Sequence, residues 1–145
     1  MRTIETEIEI DATPEAVWAV LTDFESYPEW NPFVTRIEGE AIPGARLRVR
    51  IEPPGSRGMT FRPRLVVTEP NRRLEWLGRL VVPNLFDGRH EFRLERVDGK
   101  TRFVHRETFS GLLMPAVLDA EGVKAGFRAM NRALKSRVEG GETDG

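Results

Sequence analysis

From Thr3 to Ile10 apolar and polar residues alternate, with Ile4, Ile8 and Ile10 on one face and Glu5, Glu7 and Glu9 on the other, the period of a half-buried strand. The period then changes. Asp11 or Thr13 can cap a helix, Pro14 suits its first turn, and Val17, Trp18 and Leu21 follow at helical spacing, which predicts a short helix through Asp23, ending before Glu25-Ser26-Tyr27-Pro28. Beyond Trp30-Asn31-Pro32 the β pattern returns, with strands predicted at 33–39, 45–52, 58–68, 72–80, 86–97 and 100–110. Pro43-Gly44 and Glu69-Pro70-Asn71-Arg72 are turns between them, and Pro53 to Gly58 is a mobile loop. A last segment from Pro115 to Glu139 repeats Val123, Phe127, Met130, Leu134 and Val138 at steps of three and four, which makes an amphipathic helix long enough to cross a sheet. Gly122 and Gly126 inside it each cost about 1 kcal/mol relative to Ala, so a close approach or adaptability is expected there.

One register can be counted from the sequence. Val97-Asp98-Gly99-Lys100 carries the Asp-Gly pair of a two-residue hairpin turn. With Val97 opposite Lys100, Glu95 faces Arg102 and Glu91 faces Arg106 on the outer side, while Leu94 faces Phe103, Phe92 faces His105 and His90 faces Glu107 on the inner side. A slip of one residue would destroy both patterns.

The order of these elements, with the phrases TPEAVWAVLTDFESYPEWNPF, LEWLG and GFRAMNRALKSRVE, resembles the START-like (SRPBCC, helix-grip) superfamily, in its polyketide cyclase/dehydrase and lipid-transport branch. The resemblance spans residues 3 to 139. It implies an α+β helix-grip fold: a seven-stranded curved antiparallel sheet around a long C-terminal helix, two short helices between strands 1 and 2, and a cavity for hydrophobic or amphipathic molecules. The functional residues of such proteins differ from branch to branch, so the resemblance implies where a pocket lies and not its chemistry. Residues 1–139 are expected to form one ligand-binding domain, followed by a polar tail over 140–145.

Composition narrows the function. With 22 Lys+Arg against 23 Asp+Glu the charge is nearly balanced, and the clusters Arg46, Arg48, Arg50 and Arg62, Arg64 read as solvated sheet faces, not as a nucleic-acid footprint. There is no cysteine, which excludes disulfides, thiolate catalysis and thiolate metal sites. No stretch reaches the roughly 18 apolar residues of a membrane span, and a soluble cytoplasmic protein is the expectation. Neither a GxxxxGK[ST] phosphate loop nor a GxSxG elbow occurs, so phosphoryl transfer and nucleophilic hydrolysis find no support.

The candidate pocket is built from inward positions: Phe61, Leu74, Trp76, Phe92, Phe103 and Phe109 on the sheet, with Phe127, Met130 and Leu134 on the helix. Apolar residues at such spacing are ordinary core unless a ligand space adjoins them. His90, His105 and Glu107 break the apolar inner face, and burying them unpaired would cost several kcal/mol. They are candidate orienting groups for a ligand or an acid–base pair. Two histidines and one glutamate spread over a hairpin make a poor metal cage, so no metal or cofactor is expected. Trp30-Asn31-Pro32 reads as a structural anchor, with the Asn satisfying loop backbone and the Pro stopping the helix. The readings this leaves are a noncatalytic binder of a small hydrophobic or amphipathic molecule (lipid, quinone or polyketide-like), a cyclase- or dehydrase-like enzyme using the same pocket, and an interaction domain with a vestigial pocket.

Overall fold

Asp98 and Gly99 take positive φ values of 52° and 79°, the left-handed pair that a two-residue type I′ turn needs. In this computed structural model, which describes residues 1–79, 87–111 and 119–140, that turn joins β7 (Asp87–Val97) to β8 (Lys100–Ser110). Val97 pairs with Lys100, Leu94 with Phe103, Phe92 with His105 and His90 with Glu107, the register counted from the sequence. β1 (Arg2–Ile10) lies along the other edge of β8. β6 (Arg73–Arg79) and β5 (Arg64–Glu69) extend the sheet beyond β7, giving the order β1-β8-β7-β6-β5.

β2 (Val34–Glu38), β3 (Arg48–Ile51) and β4 (Met59–Phe61) form a second, three-stranded antiparallel sheet. The described residues therefore carry five and three strands in place of the expected single seven-stranded sheet. The difference arises in the segment 58–68, which was expected to be one strand and is two. Pro63 has no N–H to give to a ladder and restrains the residue before it, so pairing stops after Phe61 and resumes at Arg64. At this corner Leu47 donates its N–H to the Pro63 carbonyl and Leu65 donates to Ala45, both at 2.8 Å, which joins the two sheets. The expected strand ends at 80 and 86, the helix start at Pro115 and the tail over 141–145 lie outside the described residues.

Between β1 and β2 the chain makes α1 (Pro14–Leu21), a 3-10 turn at Phe24–Ser26, and α2 (Tyr27–Trp30). Thr13 caps α1 by accepting from the Ala16 N–H. The second helix begins within the segment where helical periodicity fades, and the buried Tyr27 holds it in place by donating its hydroxyl to the Leu21 carbonyl. Asn31 acts as the anchor its position suggested: its Oδ1 accepts from the Phe33 and Val34 N–H groups at 3.0 and 2.9 Å.

α3 (Ala120–Gly140) crosses the concave side of the sheet. Phe127, Met130, Leu134 and Val138 are buried against it, and Lys135 fastens the helix by donating to the Glu9 carbonyl at 2.9 Å. On the outer face, Arg102 is flanked by Glu7 at 2.8 Å and Glu95 at 3.6 Å. The other expected pair is in register but not in contact as an ion pair: Arg106 turns to Glu5 on β1 at 3.6 Å, and Glu91 to Arg93 and Arg73. The Arg102 and Arg106 contacts are solvent-exposed, and each contributes little to stability, whereas Glu91 is buried.

Gly126 shows why a helix interior tolerates glycine here. A Cβ at this position would lie 2.3 Å from the Phe33 ring, so the ring packs directly on helix backbone. Gly126→Ala is expected to destabilise the protein by about 1–3 kcal/mol through overpacking, despite the gain in helix propensity of about 1 kcal/mol. Urea denaturation measures this directly, and a stabilised variant would contradict the close approach.

Candidate functional site

Alternation places two rows of side chains across the concave face. Trp76, His90, Glu107 and Ile4 lie opposite one another in one row, and Leu74, Phe92, His105 and Thr6 in the next. His90 and His105 are therefore diagonal neighbours, close enough for side chains to meet. Asn131 of α3 reaches down between β1 and β8.

These residues form a continuous hydrogen-bonded chain. Glu107 Oε1 lies 2.7 Å from His90 Nδ1, His90 Nε2 lies 2.7 Å from His105 Nε2, and His105 Nδ1 lies 3.0 Å from Asn131 Oδ1. Asn131 Nδ2 then donates to Thr6 Oγ1 at 2.8 Å. Both histidines are fully buried. Their rings are clamped by aromatics: Trp76 stacks on His90 with centroids 4.8 Å apart, and Phe127 stacks on His105 at 3.8 Å. Burial pushes the His105 imidazole well below its usual range, and the charge of a protonated His90 would push it further. Hydrogen bonds to Asn131 and to the Phe127 carbonyl act in the opposite direction but do not prevail. His105 is thus a neutral imidazole at neutral pH.

A cavity of about 380 Å³ opens beside this chain, and Glu107 is the member that lines it. Its walls come from both sheets and the start of α3, including Phe33, Ile51, Phe61, Phe109 and Val123. Gly78 and Gly88, which pair across β6 and β7, lie at its floor. A Cβ on Gly88 would sit 2.4 Å from Glu107 Oε2, so the absence of a side chain there leaves room for the carboxyl group. Arg57, Arg79 and Asp119 also line the cavity, on exposed residues.

Of the candidates picked from the sequence, Phe61, Glu107 and Phe109 line the cavity. His90 and His105 reach it only through Glu107. Trp76, Phe92, Phe103, Phe127 and Met130 are packed in the core beneath, each no more than 1% exposed. Of the apolar stripe of α3, Val123 borders the space together with Asp119 at the start of the helix, while further along Phe127 and Met130 are covered by the sheet. The glycines carried a usable signal, since an isolated Gly within a strand marks a place where another group approaches closely. Phe33, Arg57 and Arg79 carried none, because only tertiary folding brings them together. Among the described residues no cluster of three acidic or imidazole side chains is arranged to hold a metal ion. The 2.7 Å contact between the two Nε2 atoms is a hydrogen-bond distance that leaves no space for a metal between them.

The family described as polyketide cyclase / dehydrase and lipid transport matches residues 1–139. The chain belongs to this family. Solved structures similar to it include a Mesorhizobium loti protein, MLL2253, at 20% identity and a TM-score of 0.75, over 95% of this chain and 97% of that one. The ZhuI aromatase/cyclase from a Streptomyces species is 21% identical with a TM-score of 0.73, covering 95% of this chain and 93% of its own. A START superfamily protein from Mycobacterium smegmatis is 18% identical with a TM-score of 0.74, covering 95% and 97%. At these identities the likeness shows the fold alone. No curated protein matches the chain in sequence. Among the described residues of this family member, no helix is long and apolar enough to cross a membrane.

The depressed His105 sets a pH dependence. Its folded-state affinity for a proton is below that of the unfolded chain, so the unfolded state takes up more protons as pH falls below about 6.5 and stability declines there. The slope from this one group approaches about 1.4 kcal/mol per pH unit. Melting temperatures measured from pH 8 to pH 5 are expected to fall below pH 6.5, and His105→Phe is expected to flatten that fall even though it lowers stability throughout. An equal slope in the two proteins would contradict the assignment.

Proposed function

We propose that the protein binds a small hydrophobic or amphipathic molecule, of the lipid, quinone or polyketide-like kind, in the cavity between the two sheets and the start of α3. The observation that carries this reading is the mainly apolar cavity of about 380 Å³ with a largely buried carboxyl group, Glu107, in its wall. Ligand sites are usually apolar clefts of about 300–1,000 Å³ with a few placed polar groups. This volume lies near the lower end, which favours a compact molecule of one or two rings, or a single short chain, over a two-chain lipid. Membership of a family named for polyketide cyclases and lipid transport is consistent with such a ligand.

A second reading is a cyclase- or dehydrase-like enzyme using the same space. It is favoured by the Glu107–His90–His105 chain, since a carboxyl group backed by imidazoles can take or return a proton at the cavity wall. Glu107 would be the group in contact with substrate, while His90 and His105 would act through it as positioning residues. Neither reading requires a cofactor.

Native mass spectrometry of the protein purified from its own source, with extraction of any bound molecule, tests the first reading. A copurifying apolar compound is expected, and its addition to ligand-free protein should raise the melting temperature by mass action. Glu107→Gln is expected to remain folded and to bind that compound more weakly; under the enzyme reading it should lower turnover more than binding. If no compound copurifies and a broad hydrophobic library gives no thermal shift, the cavity is vestigial and the domain serves interaction instead.

A further inference from the structure

The hydrogen-bonded chain has a direction, and its last atom faces the cavity. Asn131 spends its Nδ2 on Thr6, so its Oδ1 must accept from His105 Nδ1–H. A neutral His105 then has a bare Nε2, which accepts from His90 Nε2–H. One proton remains for the 2.7 Å contact between His90 Nδ1 and Glu107 Oε1. Whether it sits on nitrogen, as an imidazolium–carboxylate pair, or on oxygen, as a neutral pair, Oε1 is engaged and Oε2 carries no hydrogen. Turning the Asn131 amide over reverses every donor: His105 Nε2–H donates to His90, and His90 Nδ1–H donates to an ionised Glu107. That arrangement also leaves Oε2 bare. Both arrangements end in the same way, with an acceptor and no donor at Oε2, beside Gly88 on the cavity wall.

We propose that Glu107 Oε2 accepts a hydrogen bond from the ligand, so that the cavity selects molecules with an apolar body and a hydroxyl or N–H donor at the inner end. This rests on the cavity being the binding site. Ethers and esters present only acceptors at that end and leave Oε2 desolvated without a partner, which costs free energy. A carboxylate head would set acceptor against acceptor at Oε2, and like charges wherever the proton sits on His90. Such a head is kept to the exposed rim, where Arg57 and Arg79 lie. The discrimination depends on burial: Glu107 is 9% exposed, so water cannot readily replace a missing ligand donor.

Three probes of nearly equal shape separate the possibilities: 2-naphthol, 2-methoxynaphthalene and naphthalene, titrated into the full chain by calorimetry. The expected result is tighter binding of 2-naphthol than of its methyl ether by about tenfold or more, the range of a hydrogen bond to a charged or partly charged acceptor. Glu107→Leu, with its fold checked by circular dichroism, is expected to bind naphthalene and to lose the preference for the naphthol. Glu107→Gln is expected to keep a reduced preference, because its amide N–H can donate to His90 Nδ1 and leave a carbonyl oxygen in the position of Oε2. Equal affinity for naphthol and ether in the unsubstituted protein, or a preference that survives in Glu107→Leu, would overturn the inference while leaving the cavity as a binding site. If all three probes fail to bind the unsubstituted protein, the binding reading falls and this inference falls with it.

Discussion

Two imidazoles with no exposure to solvent must find hydrogen bonds inside the protein, and the architecture around them follows from that constraint. An unpaired polar group at such depth costs on the order of 1–3 kcal/mol, and the four ring nitrogens of His90 and His105 would make the core untenable if left alone. Each has a partner. Meeting this requirement fixes several things together: the β7–β8 register that sets Glu107 opposite His90, the insertion of Asn131 from α3, and Thr6 on β1 at the far end. The chain therefore ties three strands and the helix into one unit. It also delivers a carboxyl group to the cavity wall in a defined orientation, because Oε1 is held by His90 Nδ1.

The fold divides its concave side between a packed region and an open cavity. Over the greater part of α3, Phe127, Met130 and Leu134 seal the helix against the sheet. Toward its start the sheet carries Gly78 and Gly88 where neighbouring rows carry large side chains, and the second sheet stands off with Phe33, Ile51 and Phe61 as its apolar wall. Removing side-chain volume from paired strand positions opens space without disturbing the ladder. Phe33 links the two regions, since its ring packs on Gly126 and against Phe127 on one side and borders the cavity on the other.

What the sequence disclosed follows physical range. The Asp98-Gly99 turn dictates local geometry, so the register from Val97–Lys100 to His90–Glu107 could be counted residue by residue, and with it the clustering of His90, His105 and Glu107. The long helix was legible from its 3.6-residue period and the first strand from its alternation. The break at Pro63 was missed because Phe61 and Leu65 keep strand-like character on either side of it, and only the missing N–H of one residue divides the segment. Asn131 was missed as a partner of His105 because nothing local marks a polar residue on a helix as inward-facing. Which part of α3 borders the cavity was not legible, since periodicity identifies a buried face and does not distinguish contact with packed side chains from contact with an open space.

The two histidines are interior members of one hydrogen-bonded chain that ends at Glu107. The protein contains only two histidines, so ring-nitrogen NMR with 15N-labelled histidine reads them without ambiguity. His105 is expected to show one protonated and one bare ring nitrogen from pH 8 to pH 6, with slow exchange against solvent. The His90 Nδ1 signal is expected to shift when Glu107 is replaced by Gln. Two histidines that titrate together near pH 6.5 as free imidazoles do, indifferent to Glu107, would contradict this arrangement.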